Sequence, residues 1–267
     1  MSRVDAMLPA DQERSPAAEL GFYVSRLLLP VVLLLPPVRR WAVGARLLWP
    51  YLGLLAFSLG FLFVPVVRSL ALWLRILDQP DARKVHAIAT PLLGGAAVWA
   101  AFALTVLHNF NFSRELKGGG VGATIVVAVG ILDDVFNLPA VVKLAGQVAG
   151  VLAALAYGVT LRIVPQSWPA HDWLNLVLTL LWFLTITNAL QFLDGMDGLA
   201  AGLGAIASFF VSVTALQTGQ GYLMFLSAAL LGACLGFLPY NFRPGAGAQV
   251  FLGDGGASFI GFSLAGL

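Results

Sequence analysis

Charge is what this sequence has least of. Lys, Arg, Asp and Glu supply 10% of its 267 residues, where soluble domains carry about 25%. Hydrophobic residues make up 59%, and the mean hydropathy is +0.88. That balance excludes an ordinary soluble domain and reads as an all-α, polytopic membrane protein. Cysteine is nearly absent. The single Cys234 rules out an intrachain disulfide and a cysteine metal cluster, and its apolar surroundings read as core. With a net charge of +2 and no basic tract, nothing points to nucleic acid. There is no solenoid-type repeat, and the N-terminus lacks the basic-then-apolar order of a signal peptide.

What is present is a series of apolar runs. Residues 1–20 are polar and read as a disordered tail. Residues 21–49 carry Arg26 and several prolines, and read as an amphipathic or short membrane segment. Residues 50–267 form one multi-span unit. Given that a span needs roughly 20 apolar residues, the expected spans are 50–68, 91–107, 119–132, 140–161, 173–190, 198–217 and 222–240. An eighth starts near Gly255 and stops at Leu267, so the unit is expected to be incomplete at its C-terminal end. The third run is short unless it extends past Gly118.

Alternating sides along these spans sorts the acids. Nine follow residue 20. Asp78, Asp81, Asp133, Asp134, Asp194, Asp197 and Asp254 fall on one side, and Glu115 and Asp172 on the other. The first side also has more of the Lys and Arg between spans, which makes it cytoplasmic. Arg39, Arg40 and Arg46 conflict with this, because parity puts them outside.

Four stretches carry the polar residues. "LDDVFNL" places Asp133 and Asp134 side by side, a pair that repels unless a cation sits between. "TNALQFLDGMDGLAAG" spaces Asn188, Gln191, Asp194 and Asp197 by threes, and Gly195 and Gly198 allow the helix to break there. "NFRPGAGAQVFLGDGGASFIG" sets Asp254 among glycines ahead of an apolar run, where free backbone N–H groups suit phosphate. "LDQPDARKVHAIATPLLGG" offers Arg83, Lys84 and His86 as a cationic loop able to grip phosphate. Hard oxygen donors with a phosphate partner suit Mg²⁺. Each stretch alone also fits a solvated turn or a helix cap; the combination on one face reads as a diphosphate and Mg²⁺ site.

In this order the four stretches resemble the polyprenyl-phosphate N-acetylhexosamine-1-phosphate transferases, from about Pro50 to Gly261. The loop "DQPDARKVHAIATPLLGG" is similar to the undecaprenyl-phosphate N-acetylglucosamine-1-phosphate transferase branch, which primes O-antigen (lipopolysaccharide), teichoic acid or arabinogalactan synthesis. The resemblance implies a bacterial inner-membrane enzyme of about ten or eleven spans with a cytoplasmic active site. It would use Mg²⁺, with Mn²⁺ as a substitute, to join a UDP-N-acetylhexosamine to a polyprenyl phosphate and release UMP. It would work in the bilayer, with a homodimer as one assembly state. By that resemblance Asp133 is the proposed base, beside Asp134, with a covalent aspartyl route equally open. Asp194, Asp197 and Asn188 form a cytosolic polar cluster, and Asp254 and Gln191 are metal ligands. Lys84, Gly195, Asn241 and Phe251 lie around the nucleotide, with Phe251 stacking on uracil.

This chain departs from the family pattern in two places. Gln191 replaces a common Asn. "GDGGAS" stands where "GDTGS" is usual, so Ala257 removes a hydroxyl. A histidine-rich loop is expected after the eighth span, beyond Leu267. Two other classes stay open from the residues alone: a cation or proton transporter with acids at mid-span, and a catalytically inactive membrane fragment.

Overall fold

The computed structural model describes residues 16–80, 89–108 and 113–267. Ten helices carry most of the described residues: α1 (Pro16–Leu34), α2 (Pro36–Gly44), α3 (Leu48–Leu74), α4 (Gly94–His108), α5 (Arg114–Phe136), α6 (Ala140–Ala156), α7 (His171–Leu193), α8 (Leu199–Gln217), α9 (Gly221–Asn241) and α10 (Gly253–Ala265). Each expected apolar run is a helix. Two two-residue strands, β1 (Leu77–Asp78) and β2 (Thr90–Pro91), pair antiparallel and are the small departure from an all-α chain. Helices α3, α5, α7, α8 and α9 are long and apolar enough to cross a bilayer, whereas α4 and α6 are shorter apolar helices.

Three expected boundaries need correction. α1 already begins at Pro16, inside the stretch expected to be a tail. The run expected at 119–132 is not short: α5 starts at Arg114, where Ser113 Oγ accepts the Leu116 N–H at 3.2 Å and Glu115 sits in the first turn. A capping hydroxyl plus an acid offsets the positive end of the helix, so a polar turn extends the span. α6 stops at Ala156 rather than at 161. Residues 161–164 are irregular, and α7 satisfies their backbone. Asn175 accepts from Ile163 and Val164, and Thr179 accepts from Leu161. In the N-terminal part, 26–34 and 36–44 meet at 67°; Pro36 and Pro37 fit that break.

Small residues let the helices approach closely, while large apolar side chains fill the core and also cover the perimeter. Gly232 and Gly236 of α9 lie against the backbone of α3, where an added Cβ on Gly236 would stand 2.5 Å from the Phe57 carbonyl. Helices in lipid associate through such close packing rather than through water exclusion. Around the outside, Val66, Leu132, Leu152, Leu181 and Phe210 are exposed, as expected of a surface facing hydrocarbon. Ala97, Val98, Phe183, Phe237, Phe259 and Phe262 are fully buried. α10 is buried along most of its length, packed against α4, α5, α7 and α8. Its N-terminus is therefore held at the centre of one end of the bundle.

Candidate functional site

The C-terminal ends of α5, α7 and α9 meet the N-terminal ends of α6, α8 and α10 at that end of the bundle. Asp133 and Asp134 are in the last turn of α5. The helix ends because Asn137 takes a left-handed backbone (φ 50°), as short polar side chains can. The chain then folds back, and the Leu138 N–H donates to Asp133 Oδ1 at 2.7 Å. Lys143, one turn into α6, closes the group. Its Nζ lies 2.5 Å from Asp133 Oδ2 and 2.8 Å from Asp254 Oδ2. Asp133 is buried, and the ammonium supplies the charge that an apolar surround does not.

Asp134 faces a different task. The Asp254 N–H donates to its Oδ1 at 2.8 Å and the Gly255 N–H to its Oδ2 at 3.3 Å. α10 has no side-chain cap of its own, and Asp134 of α5 caps it from outside. Gly253 makes this possible. Its φ is +75°, and a Cβ there would come 2.6 Å from the Asp134 carboxylate. The two neighbouring aspartates thus have separate roles: Asp133 faces Lys143, and Asp134 fixes the start of α10 and with it Asp254.

The turn after α7 completes the site. The expected break occurs: α7 ends at Leu193 and α8 begins at Leu199. Asp194 caps α7, and burial pushes its carboxyl up to about 8, with the charges of Asp254 and Asp134 adding to the rise. Asp194, Asp134 and Asp254 are therefore electrostatic neighbours. Asp197 is exposed, and its Oδ2 accepts the Ala248 N–H at 3.1 Å. Gly195 is exposed in the same turn. Asn188 is half-buried and its amide nitrogen donates to Gln147 Oε1 at 2.8 Å and to the Leu184 carbonyl at 2.7 Å. Gln191 Oε1 accepts from Gln147 Nε2 at 2.9 Å.

Two further expected residues also tie neighbouring segments together. Buried Asn241 accepts the Gly198 N–H at 2.6 Å and donates to the Val250 carbonyl at 3.0 Å. Phe251 is anchored through its backbone, its N–H to the Pro91 carbonyl and its carbonyl to the Gly94 N–H. The expected cationic residues Arg83, Lys84 and His86 lie outside the described residues. The strands flanking them are tied to this end through Pro91.

Among the described residues no three His, Cys, Asp or Glu side chains converge as a metal cage. The donor set nevertheless fits Mg²⁺. Asp133 and Asp254 aim oxygens at one point, where Lys143 shows that a cation is accommodated, and Mg²⁺ commonly takes one or two carboxylates and completes its shell with phosphate and water. No carboxylate of this group lies at mid-span, which a transporter would require.

Lys143 and Gln147 are the residues the sequence reading missed. They sit one helical turn apart on α6, so they share a face. The available signal was a lone Lys and a Gln four residues apart in an apolar run.

The sequence is similar to proteins of known family. A family model described as glycosyl transferase family 4 matches residues 117–267. A Bacillus subtilis protein named probable undecaprenyl-phosphate N-acetylglucosaminyl 1-phosphate transferase is 36% identical over 208 residues, covering 76% of this chain and 57% of that protein. A Mycolicibacterium smegmatis protein named decaprenyl-phosphate N-acetylglucosaminephosphotransferase is 34% identical, over 79% of this chain and 57% of its own length. A Desulforudis audaxviator protein named phospho-N-acetylmuramoyl-pentapeptide-transferase is 31% identical, over 79% of this chain and 71% of its own. The chain thus spans less than two thirds of the first two. With the matched region holding Asp133, Asp134, Lys143, Asp194 and Asp254, the chain belongs to glycosyl transferase family 4.

Proposed function

We propose that this chain carries the catalytic face of an enzyme that transfers N-acetylglucosamine-1-phosphate from its UDP-sugar to a polyprenyl phosphate. The observation that supports it best is the convergence of Asp133, Lys143 and Asp254 from three helices on one point at the bundle end. The names of the relatives supply the substrate classes.

In this reading an oxygen of the lipid phosphate attacks the sugar-bearing phosphorus of the UDP-sugar. The bond from that phosphorus to the bridging oxygen breaks, and UMP leaves with that oxygen. Such chemistry depends mainly on positioning and charge neutralisation. Mg²⁺, held by Asp254 and Asp133, would supply neutralising charge to the diphosphate. Lys143 brings positive charge to the same point and releases a carboxylate when phosphate arrives. Asp133, ion-paired and buried, accepts or directs the proton of the incoming phosphate. Asp134 keeps Asp254 in register by capping α10. The apolar perimeter leaves the lipid tail in the bilayer while its phosphate reaches the polar end, on the cytoplasmic side where sugar nucleotides are made.

The test gives the full-length protein in membranes undecaprenyl phosphate, UDP-N-acetylglucosamine and Mg²⁺, and measures UMP. Release that is lost with Asp254→Ala supports the reading. Release that is unchanged in that variant, or absent from the wild type, ends it. UDP-N-acetylmuramoyl-pentapeptide as the alternative donor tests the sugar, because the Desulforudis relative carries that name.

A further inference from the structure

The polar end contains an amide relay that the transfer chemistry above does not use. Gln147 is buried on α6 and reaches both Asn188 and Gln191 of α7. The direction of every amide in the relay follows from one fixed point. The Leu184 carbonyl can only accept, so the Asn188 atom 2.7 Å from it is the amide nitrogen. That nitrogen also lies 2.8 Å from Gln147, which must present oxygen there. The Gln147 nitrogen is then turned toward Gln191 at 2.9 Å, and Gln191 must answer with its oxygen. The weaker 3.4 Å contact from Gln147 Nε2 to Asn188 Oδ1 fits the same orientation. Reversing any one amide would set like groups against each other at its contacts with its neighbours.

The consequence falls on Gln191. One lone pair of its oxygen is taken up inside the protein, and its –NH₂ group has no protein acceptor among the described residues. Gln191 is half-buried and lines a small cavity with Asp133, Lys143 and Ser258. A divalent cation would have to use the oxygen's one remaining lone pair, whereas the whole –NH₂ group is left to donate. We infer that Gln191 serves as a hydrogen-bond donor to an anionic phosphate oxygen beside Lys143, and that Gln147 is the positioning residue that holds it in that orientation. This departs from the metal-ligand role that the family resemblance implies for Gln191. It rests on the transferase reading, since the phosphate is that of the UDP-sugar or of the lipid.

Two substitutions at the half-buried position separate the roles. Gln191→Met removes donor and acceptor; Gln191→Glu keeps acceptors of the same reach and removes the donor. Mn²⁺ binding is followed by electron paramagnetic resonance without substrate, UDP-N-acetylglucosamine binding by calorimetry, and KM for each substrate by UMP release. A donor role predicts Mn²⁺ affinity within about twofold of wild type in both variants. It also predicts a KM about tenfold higher for one substrate, with kcat little changed. A rise for UDP-N-acetylglucosamine assigns the donor to the diphosphate, and a rise for undecaprenyl phosphate assigns it to the lipid. Gln147→Glu, which keeps the acceptor toward Asn188 and loses the donor toward Gln191, should give the same KM effect.

Mn²⁺ binding weakened about tenfold by Gln191→Met and retained by Gln191→Glu overturns the inference in favour of ligation. No change in either KM or Mn²⁺ binding overturns it in favour of a purely structural relay. A wild-type protein that binds Mn²⁺ and nucleotide without releasing UMP ends the transferase reading alone, because calorimetry on the variants still reads the donor. Binding of neither by the wild type ends both.

Discussion

Asp194 shows how one buried carboxyl can carry a cost that grows with pH. Its carboxyl is pushed up to about 8 by burial and by the charges of Asp254 and Asp134, whereas an unfolded Asp titrates near ~3.9. The folded chain therefore binds the extra proton between these values. Ionising Asp194 costs stability that is absent below the unfolded value and complete above about 8. In chelator, the melting temperature should fall as pH rises from 5 to 9, and Asp194→Asn should remove part of that fall. An identical slope in the variant would contradict the assignment. Asn241 acts in the opposite way, stabilising under all conditions. Its amide satisfies the Gly198 N–H and the Val250 carbonyl. Leaving a buried polar group unpaired costs about 1–3 kcal/mol, so Asn241→Leu should destabilise by about 2 kcal/mol or more in thermal or denaturant melts. The variant should also loosen the 198–250 contact, seen as faster proteolysis there.

At the scale of elements, the position of α10 decides where Asp254 points. Three devices hold its N-terminus: the Asp134 cap, the Gly253 backbone and the contact with α4. A Cβ added to Gly95 would overlap Gly256 and stand 2.9 Å from the Leu252 carbonyl, and the Gly95 N–H donates to that carbonyl. Gly95→Ala must push α4 and α10 apart. It should lower both melting temperature and UMP release, whereas Gly202→Ala, which meets nothing within 4 Å, should leave both near wild type. Equal behaviour of the two variants would show that the α4–α10 contact does not control the site. The α5–α6 turn is the second controlling element, because it brings Lys143 back over the last turn of α5.

For the whole molecule, the polar end should face the cytoplasm and the 161–172 connection the opposite side. A chain with Cys234→Ala and a single added cysteine tests this. Gly195→Cys and Ser167→Cys, both at exposed turns, should be labelled by an impermeant maleimide from opposite faces of sealed vesicles. Labelling from one face would overturn the topology. The same orientation would place Arg39, Arg40 and Arg46 outside, as parity does; α1 and α2 meet at 67° in that part of the chain.

The sequence by itself determined the helices and the end of each that bears the acids. A 59% hydrophobic chain must satisfy its backbone within helices in lipid, and its few carboxylates are tolerated only at helix ends. It also marked the break at 194–198, because glycines permit a turn that hydrocarbon would otherwise penalise. Only the tertiary structure decided how the polar residues divide the work. Asp133 and Asp134 are indistinguishable as neighbours in a string, yet packing turns one to Lys143 and the other to the α10 backbone. Lys143 and Gln147 read as ordinary members of an apolar run until α6 lies beside α7 and α10. Asn188 and Asn241, expected to contact substrate, also make hydrogen bonds inside the protein that the string of residues does not show. The physical reason is that helical periodicity fixes which face a residue occupies, whereas hydrogen-bond partners depend on which helix packs against that face.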